Sequence, residues 1–411
     1  MFTKFFTYFR GLDISKNILY FGFSQAITLV SSVVRYPLLL SSNSISVLND
    51  AFFWIALQAW ISVLGAGIAN TSRIRAVTNE FRIAKNGSLL PAVSILASVC
   101  ISIFALLTQN PFLAGLGPTL LLALLSLKYS AYVGFVQGLG LQHRYFFWAA
   151  WAGAGGLALL FVFVSSPWWH FLPDTARAMT IVGISSLTFI TPYLISFIRT
   201  KGLVSVSSRE ESKVEIQQRL FELGAVLPPA FLSGFDALAL ALTGNQSDLT
   251  LYTLISRLQI ILTFFLTATY IQVANASSRT DFEFKNSPLN RIRWMTILNL
   301  PFLFLYVATA PILVTTLSLG KFSLSPVLLV SSSLIGVTAP AWIAVSGDYS
   351  LDVRLRRLFG RRVILYILPG SFVLTVILTF LAGVTGTFAS TALTYCSVVI
   401  LRFATARKGS D

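Results

Sequence analysis

Apolar residues recur along this chain in unbroken runs of about twenty, each closed by a short polar link, a spacing that suits helices crossing roughly 30 Å of hydrocarbon. The runs predict twelve spans, at about 18–40, 50–70, 89–108, 118–138, 146–166, 178–198, 221–243, 249–273, 294–317, 326–347, 363–382 and 385–403. The first run is too long for a cleavable signal peptide and no small-residue cleavage site follows it, so it is expected to remain as a membrane helix. The seventh and eighth runs are separated only by 244–248 and are expected to form an antiparallel hairpin. Each carries one charge well inside it, Asp236 and Arg257, at about 2.5–3.5 kcal/mol apiece near a helix centre. With a rise of about 1.5 Å per residue, both lie roughly 12 Å below the same surface. They are placed to meet, as a structural ion pair or as part of a substrate or ion site.

The hairpin FDALALALTGNQSDLTLYTLISRL resembles the helix 7 to helix 8 hairpin of the Wzx-type lipid-linked oligosaccharide flippases, part of the multidrug/oligosaccharidyl-lipid/polysaccharide (MOP) exporter superfamily. There an acidic residue precedes an apolar run, a glycine-containing turn and an aromatic residue; here these are Asp236, Gly244 and Tyr252. NDAFFWIALQAWISVLGAGIANTSRIRAV, with Gly65, Gly67, Asn70, Arg73 and Arg75, is similar to the family's second helix, and GFVQGLGLQHR to its exit from helix 4. For the arginines, topogenic charge is the simpler reading, and Asn70 stands between packing and binding.

Composition fits the same class. The chain is 55% hydrophobic and 11% charged, where soluble domains carry about 25% charged residues. Its 411 residues are taken up by spans and short loops. The two cysteines, Cys100 and Cys396, lie inside apolar runs and read as small hydrophobes; neither a metal site nor a cofactor is indicated.

Of the 30 basic residues, 25 fall in the links on one side of the twelve-span alternation, three (Arg35, Arg177 and Lys321) on the other, and Lys128 and Arg257 within spans. The positive-inside rule then places both termini in the cytoplasm. It also explains most of the net charge of +15, with attraction to anionic membrane lipids and no implication of nucleic acid. The polar stretch between the sixth and seventh spans divides the chain into an N-terminal lobe (1–200), a cytoplasmic linker (201–218) and a C-terminal lobe (219–411). Six spans on either side is the organisation of a two-lobed transporter. A short echo links the ends of spans 2 and 8, ANTSR and ANASSR.

Polar groups at membrane depth are the candidate site residues. Lys128, mid-span, is too deep to reach water along a lipid-facing surface and is expected to face a cavity or another helix. Arg35 and Asp50 lie near one surface, where interfacial snorkelling competes with a binding role. The resemblance implies that cationic groups from helices 1, 2 and 8 attract the diphosphate of the substrate, which matches Arg257 in helix and depth and Arg35 in helix. Pro228 and Pro229 are the hinge candidates, since proline frees backbone carbonyls. Trp54 and Trp60 could stack on sugars from a cavity or simply pack, and Trp168 and Trp169 read as an interfacial belt.

The sequence therefore predicts an all-α polytopic membrane protein, and the resemblance implies a bacterial plasma membrane. The resemblance implies export of an undecaprenyl-diphosphate-linked oligosaccharide, alongside glycan polymerases and glycosyltransferases of the same pathway. A drug or cation antiporter of the same superfamily is the alternative, for which Asp236 is the only carboxylate well inside a span. A membrane glycan polymerase or ligase is disfavoured, because the acids of the outer links stand singly as Asp50, Asp174 and Asp248 and form no paired-carboxylate site.

Overall fold

A backbone in hydrocarbon must satisfy every polar group internally, so the apolar runs can only become helices. The computed structural model describes residues 14–77, 83–84, 90–110, 112–139, 141–200, 206–207, 228–243, 247–259, 261–262, 288–345 and 353–407, and helices occupy parts of all twelve predicted runs. In order these are α1 (Ile14–Ser42), α2 (Ile45–Val77), α3 (Leu90–Thr108), α4 (Leu116–Gly138), α5 (Gln142–Ser165), α6 (Asp174–Thr200), α7 (Pro228–Leu242), α8 (Ser247–Leu258), α9 (Pro288–Leu317), α10 (Pro326–Val345), α11 (Val353–Arg362) and α12 (Leu368–Arg407). Two two-residue strands, β1 (Ile83–Ala84) and β2 (Val206–Ser207), pair in parallel and join the link after α2 to the link between the lobes. Among the described residues six stretches of helix are by themselves long and apolar enough to cross a membrane. Large apolar side chains such as Leu96, Ile103 and Leu107 on α3 and Phe161 and Val162 on α5 point outward, as lipid contact requires.

The last two predicted spans are the arms of α12, which breaks at Ala382 and Gly383. Gly383 has φ +55°, a conformation in which a side chain would be strained. Hydroxyls then stitch the arms together as Ser371–Thr394 (3.0 Å), Thr375–Ser390 (3.0 Å) and Thr379–Thr387 (3.0 Å). Preceding α12, a π turn (Val363–Ile367) connects it to α11, whose sequence VRLRRLFGRR buries Phe359 against Val363 and Val398.

Within the first lobe α2 packs on α4, α1 on α5, and α4 on α6; in the second α7 and α10 both pack on α12, and α9 on α10. The α2–α4 contact is close because residue 134 is glycine: a Cβ there would overlap the Ala69 carbonyl and press on Ser72. Gly134→Ala should therefore lower stability by about 1–3 kcal/mol or more, whereas Gly183→Ala, with nothing within 4 Å of the added carbon, should change it little. Thermal unfolding of both variants in detergent checks this; equal melting temperatures would contradict the packing.

The largest apolar core joins the two lobes. Tyr36, Leu39, Phe52 and Ile55 of α1 and α2 pack in one cluster with Leu240, Tyr252, Ile255 and Tyr306 of α7, α8 and α9. Polar contacts reinforce it: Thr250 donates to the Asn49 side-chain carbonyl, and the Lys321 ammonium donates to the Leu40 carbonyl at 2.8 Å. These residues lie at the helix ends opposite the arginine-rich links. Two smaller clusters each belong to one lobe, Tyr129, Val133, Ile190 and Tyr193 in the first and Phe359, Val363 and Val398 in the second. The two lobes thus meet in a shared core at one end of the bundle.

Candidate functional site

Two arginines come together at the junction of the lobes. Arg35 lies about two turns before the end of α1, and Arg257 on the last turn of α8. Both are half-buried, and their positive charges act on each other and on the adjacent buried Tyr36. Tyr36 is itself fixed by stacking on Phe52, with ring centroids 5.3 Å apart. Among the described residues neither arginine forms an ion pair with a carboxylate. Like charges at membrane depth repel strongly and are hard to retain without compensation. An anion bridging them would convert the repulsion into attraction, and the planar guanidinium fork suits two phosphate oxygens.

Asp236 forms no ion pair with Arg257, so of the two arrangements that their equal depth left open the direct pair is not the one formed. Depth fixes the height of a side chain in a hairpin but not the direction it faces. Asp236 is only 1% exposed and points into the second lobe. Its Oδ2 accepts hydrogen bonds from the Tyr252 hydroxyl (2.8 Å) and from Thr391 Oγ1 (2.9 Å), while Oδ1 has no hydrogen-bond partner. Tyr252 is positioned by stacking on Phe388 at 5.2 Å. The carboxyl group thus ties α7 to α8 and to the second arm of α12, with one oxygen left to take a proton or a cation.

The other candidates separate. Lys128 is half-buried on α4 of the first lobe, its Nζ 5.7 Å from the centre of the Tyr129 ring. Asp50 borders a small space between the lobes with Asn49, Phe53 and Leu249. Helix α2 carries Asn70, and α7 begins at Pro228 and Pro229, where proline is tolerated because no intrahelical donor is lost; these three side chains, with Trp60, lie outside the described residues. Trp54 is packed rather than presented to a sugar: its Nε1 donates to the Phe112 carbonyl and its ring lies against Phe112 and Gly115. Of the expected belt, Trp168 is exposed and Trp169 is buried. Arg177 pairs with Asp174 at 3.6 Å. Among the described residues no group of three or more His, Cys, Asp or Glu side chains could hold a metal ion.

Two features escaped the sequence reading. Thr391 could be found only once the fold brought the second arm of α12 against α7. Gln58, buried in α2, donates to Thr119 (3.1 Å) and Ser186 (2.7 Å) and cross-links three helices of the first lobe. A lone amide in the middle of an apolar run was a visible signal for it.

No protein-family model and no curated protein matches the chain in sequence. Solved structures do match it in shape. An inward-facing multidrug resistance MATE family transporter of the MOP superfamily superimposes with a TM-score of 0.58 at 13% identity, covering 93% of this chain and 94% of that one. A single-site mutant of the Vibrio cholerae MATE transporter VcmN gives 0.56 at 13% identity, covering 96% of each chain. An outward-facing MATE transporter of the same superfamily gives 0.52 at 15% identity, again covering 96% of each. At such identities the likeness is one of fold: the chain is a multi-pass membrane protein with the two-lobed architecture of the MATE transporters of the MOP superfamily.

Proposed function

We propose that the protein flips a polyprenyl-diphosphate-linked oligosaccharide from the cytoplasmic to the outer leaflet of a bacterial plasma membrane by alternating access of its two lobes. The observation that carries this reading is the pair Arg35 and Arg257, one from each lobe, interacting with each other and unpaired with any described carboxylate. A diphosphate supplies two adjacent anionic groups, and gripping it with one residue from either lobe makes its binding depend on how the lobes are set. The resemblance of the α7–α8 hairpin to Wzx-type flippases supports the same substrate class. Lys128, on α4 of the same lobe as Arg35, would add longer-range attraction for the anion, and glycan polymerases and glycosyltransferases would be pathway partners. The test is transbilayer movement of a fluorescent polyprenyl-diphosphate glycan in proteoliposomes. Movement no faster than in protein-free vesicles would sink the reading.

A second reading, a drug or cation antiporter, is favoured by Asp236. A buried carboxyl group with one unpartnered oxygen is suited to exchanging a proton or cation. The two readings also combine, with the arginines holding cargo and Asp236 coupling the cycle to an ion gradient. Asp236→Asn keeps an acceptor for Tyr252 and Thr391, so the fold should survive while transport ceases to respond to an imposed gradient. Asp236→Leu instead removes the acceptor that Tyr252 and Thr391 share, leaving Thr391 its 3.2 Å bond to the Thr387 carbonyl, and should unfold at a lower temperature by the loss of about 1–3 kcal/mol. Gradient-dependent transport by the Asp236→Asn variant would remove Asp236 from coupling.

A further inference from the structure

A second cationic site lies within the first lobe, away from the lobe interface. A cleft of about 440 Å³ opens between Tyr20 near the start of α1, the end of α4, the first turn of α5 and the last turn of α6. Two arginines flank it, Arg144 on α5 and Arg199 on α6, both exposed and neither in an ion pair with a described residue. The Arg199 guanidinium lies 5.8 Å from the centre of the Trp148 ring, a cation–π contact that restrains the group at the wall of the cleft. Helix α5 adds a third positive contribution. Its N-cap position, Leu141, offers no side-chain acceptor to the first-turn amides, so the positive end of a 24-residue helix dipole borders the same space. The walls are otherwise apolar and aromatic, with Phe147 and Ile195 half-buried along them.

We propose that this cleft binds the phosphodiester headgroup of an anionic phospholipid from the surrounding leaflet. The cleft sits at the arginine-rich ends of the spans, at the depth where headgroups lie in the leaflet assigned to the cytoplasm by the basic bias of the links. A phospholipid matches both parts of the surface: its phosphate meets two guanidinium groups and the α5 amides, and its first methylenes meet Phe147, Ile195 and Trp148. A free phosphate would leave the apolar wall unused. Basic pockets between helices at this depth are suited to anionic headgroups.

The test is native mass spectrometry of the full-length protein, delipidated and titrated with phosphatidylglycerol or phosphatidylcholine. The wild type should retain phosphatidylglycerol and release phosphatidylcholine. Arg144→Gln combined with Arg199→Gln should weaken phosphatidylglycerol retention about thirtyfold, from two basic residues near the surface. Arg144→Lys with Arg199→Lys should stay within a few-fold of the wild type. Both side chains are exposed, so these variants should fold, and unchanged melting temperatures would verify it. Equal retention by the wild type and the glutamine variant would overturn the proposal. So would displacement of the lipid by equimolar inorganic phosphate, which would mark a free-anion site, or preferential retention there of the polyprenyl-diphosphate glycan, which would mark a cargo entrance.

Discussion

Replacing Arg257 with glutamine is expected to abolish glycan-lipid transport and at the same time to raise the thermal stability of the empty protein slightly. The first effect follows from losing a charge-assisted contact to a desolvated diphosphate, which costs about 2–5 kcal/mol, or between about thirtyfold and several thousandfold in cargo affinity. The second follows from the charges around Arg35. In the empty protein the charges of Arg35 and Arg257 act on each other with like sign, so removing one breaks no attractive contact between them. A structural ion pair would behave in the opposite way, because its loss strands a buried charge and destabilises. Arg257→Lys should restore only part of the activity, since a point charge replaces a planar fork. Measuring unfolding temperature and transport on the same preparations separates these cases. A destabilised Arg257→Gln variant with normal transport would give Arg257 a structural role only.

Joining the lobes covalently should stop transport completely. Asn49 and Thr250 touch across the lobe junction, and alternating access requires that contact to open in each cycle. With Cys100 and Cys396 first replaced by alanine, cysteines at both positions, bridged by a short bis-methanethiosulfonate that forms a disulfide with each thiol and releases sulfinate, are expected to reduce transport to the level of protein-free vesicles, with each single cysteine variant unaffected by the reagent. A cleavable reagent should return activity after reduction, which excludes irreversible damage as the cause. Full transport by the bridged protein would mean that the lobes do not separate at this end. Lys321, which donates to the Leu40 carbonyl across the same junction, predicts a milder companion effect. Lys321→Ala removes one contact of the closed end and should shift the resting protein toward the other conformation without blocking the cycle.

Helices were the most legible part of the molecule, because hydrocarbon demands about twenty apolar residues for each crossing and the chain supplies them in separate runs. The break at Gly383 also falls between two predicted runs. Candidate site residues were legible as residues and less so as partners. Depth arithmetic put Asp236 and Arg257 at one height, but the rotation of each helix about its axis decides what a side chain meets, and the runs there are apolar on all sides. Asp236 consequently faces Tyr252 and Thr391, while the charge of Arg257 acts on Arg35 and Tyr36 of the other lobe, neighbours that sequence distance conceals. Trp54 shows the same limit: an aromatic in an apolar run reads equally as a sugar platform or as packing, and the Phe112 carbonyl decides it. The hydroxyl positions Ser371, Thr375 and Thr379, spaced by four, were a visible polar stripe, yet their partners required knowing that α12 folds back on itself.

The central claim is that a pair of arginines drawn from the two lobes holds the diphosphate of a lipid-linked glycan while the lobes exchange access. It is tested most directly by the initial rate of transbilayer movement of a polyprenyl-diphosphate glycan in proteoliposomes, for the wild type and for Arg35→Gln, Arg257→Gln and the double variant, with efflux of an organic cation measured in parallel. The account predicts rapid glycan movement by the wild type, loss of at least thirtyfold in each single variant, no further loss in the double variant beyond the background rate, and no cation efflux above background in any of them. Cation efflux by the wild type that requires Asp236 and ignores both arginines, with no glycan movement, would contradict it.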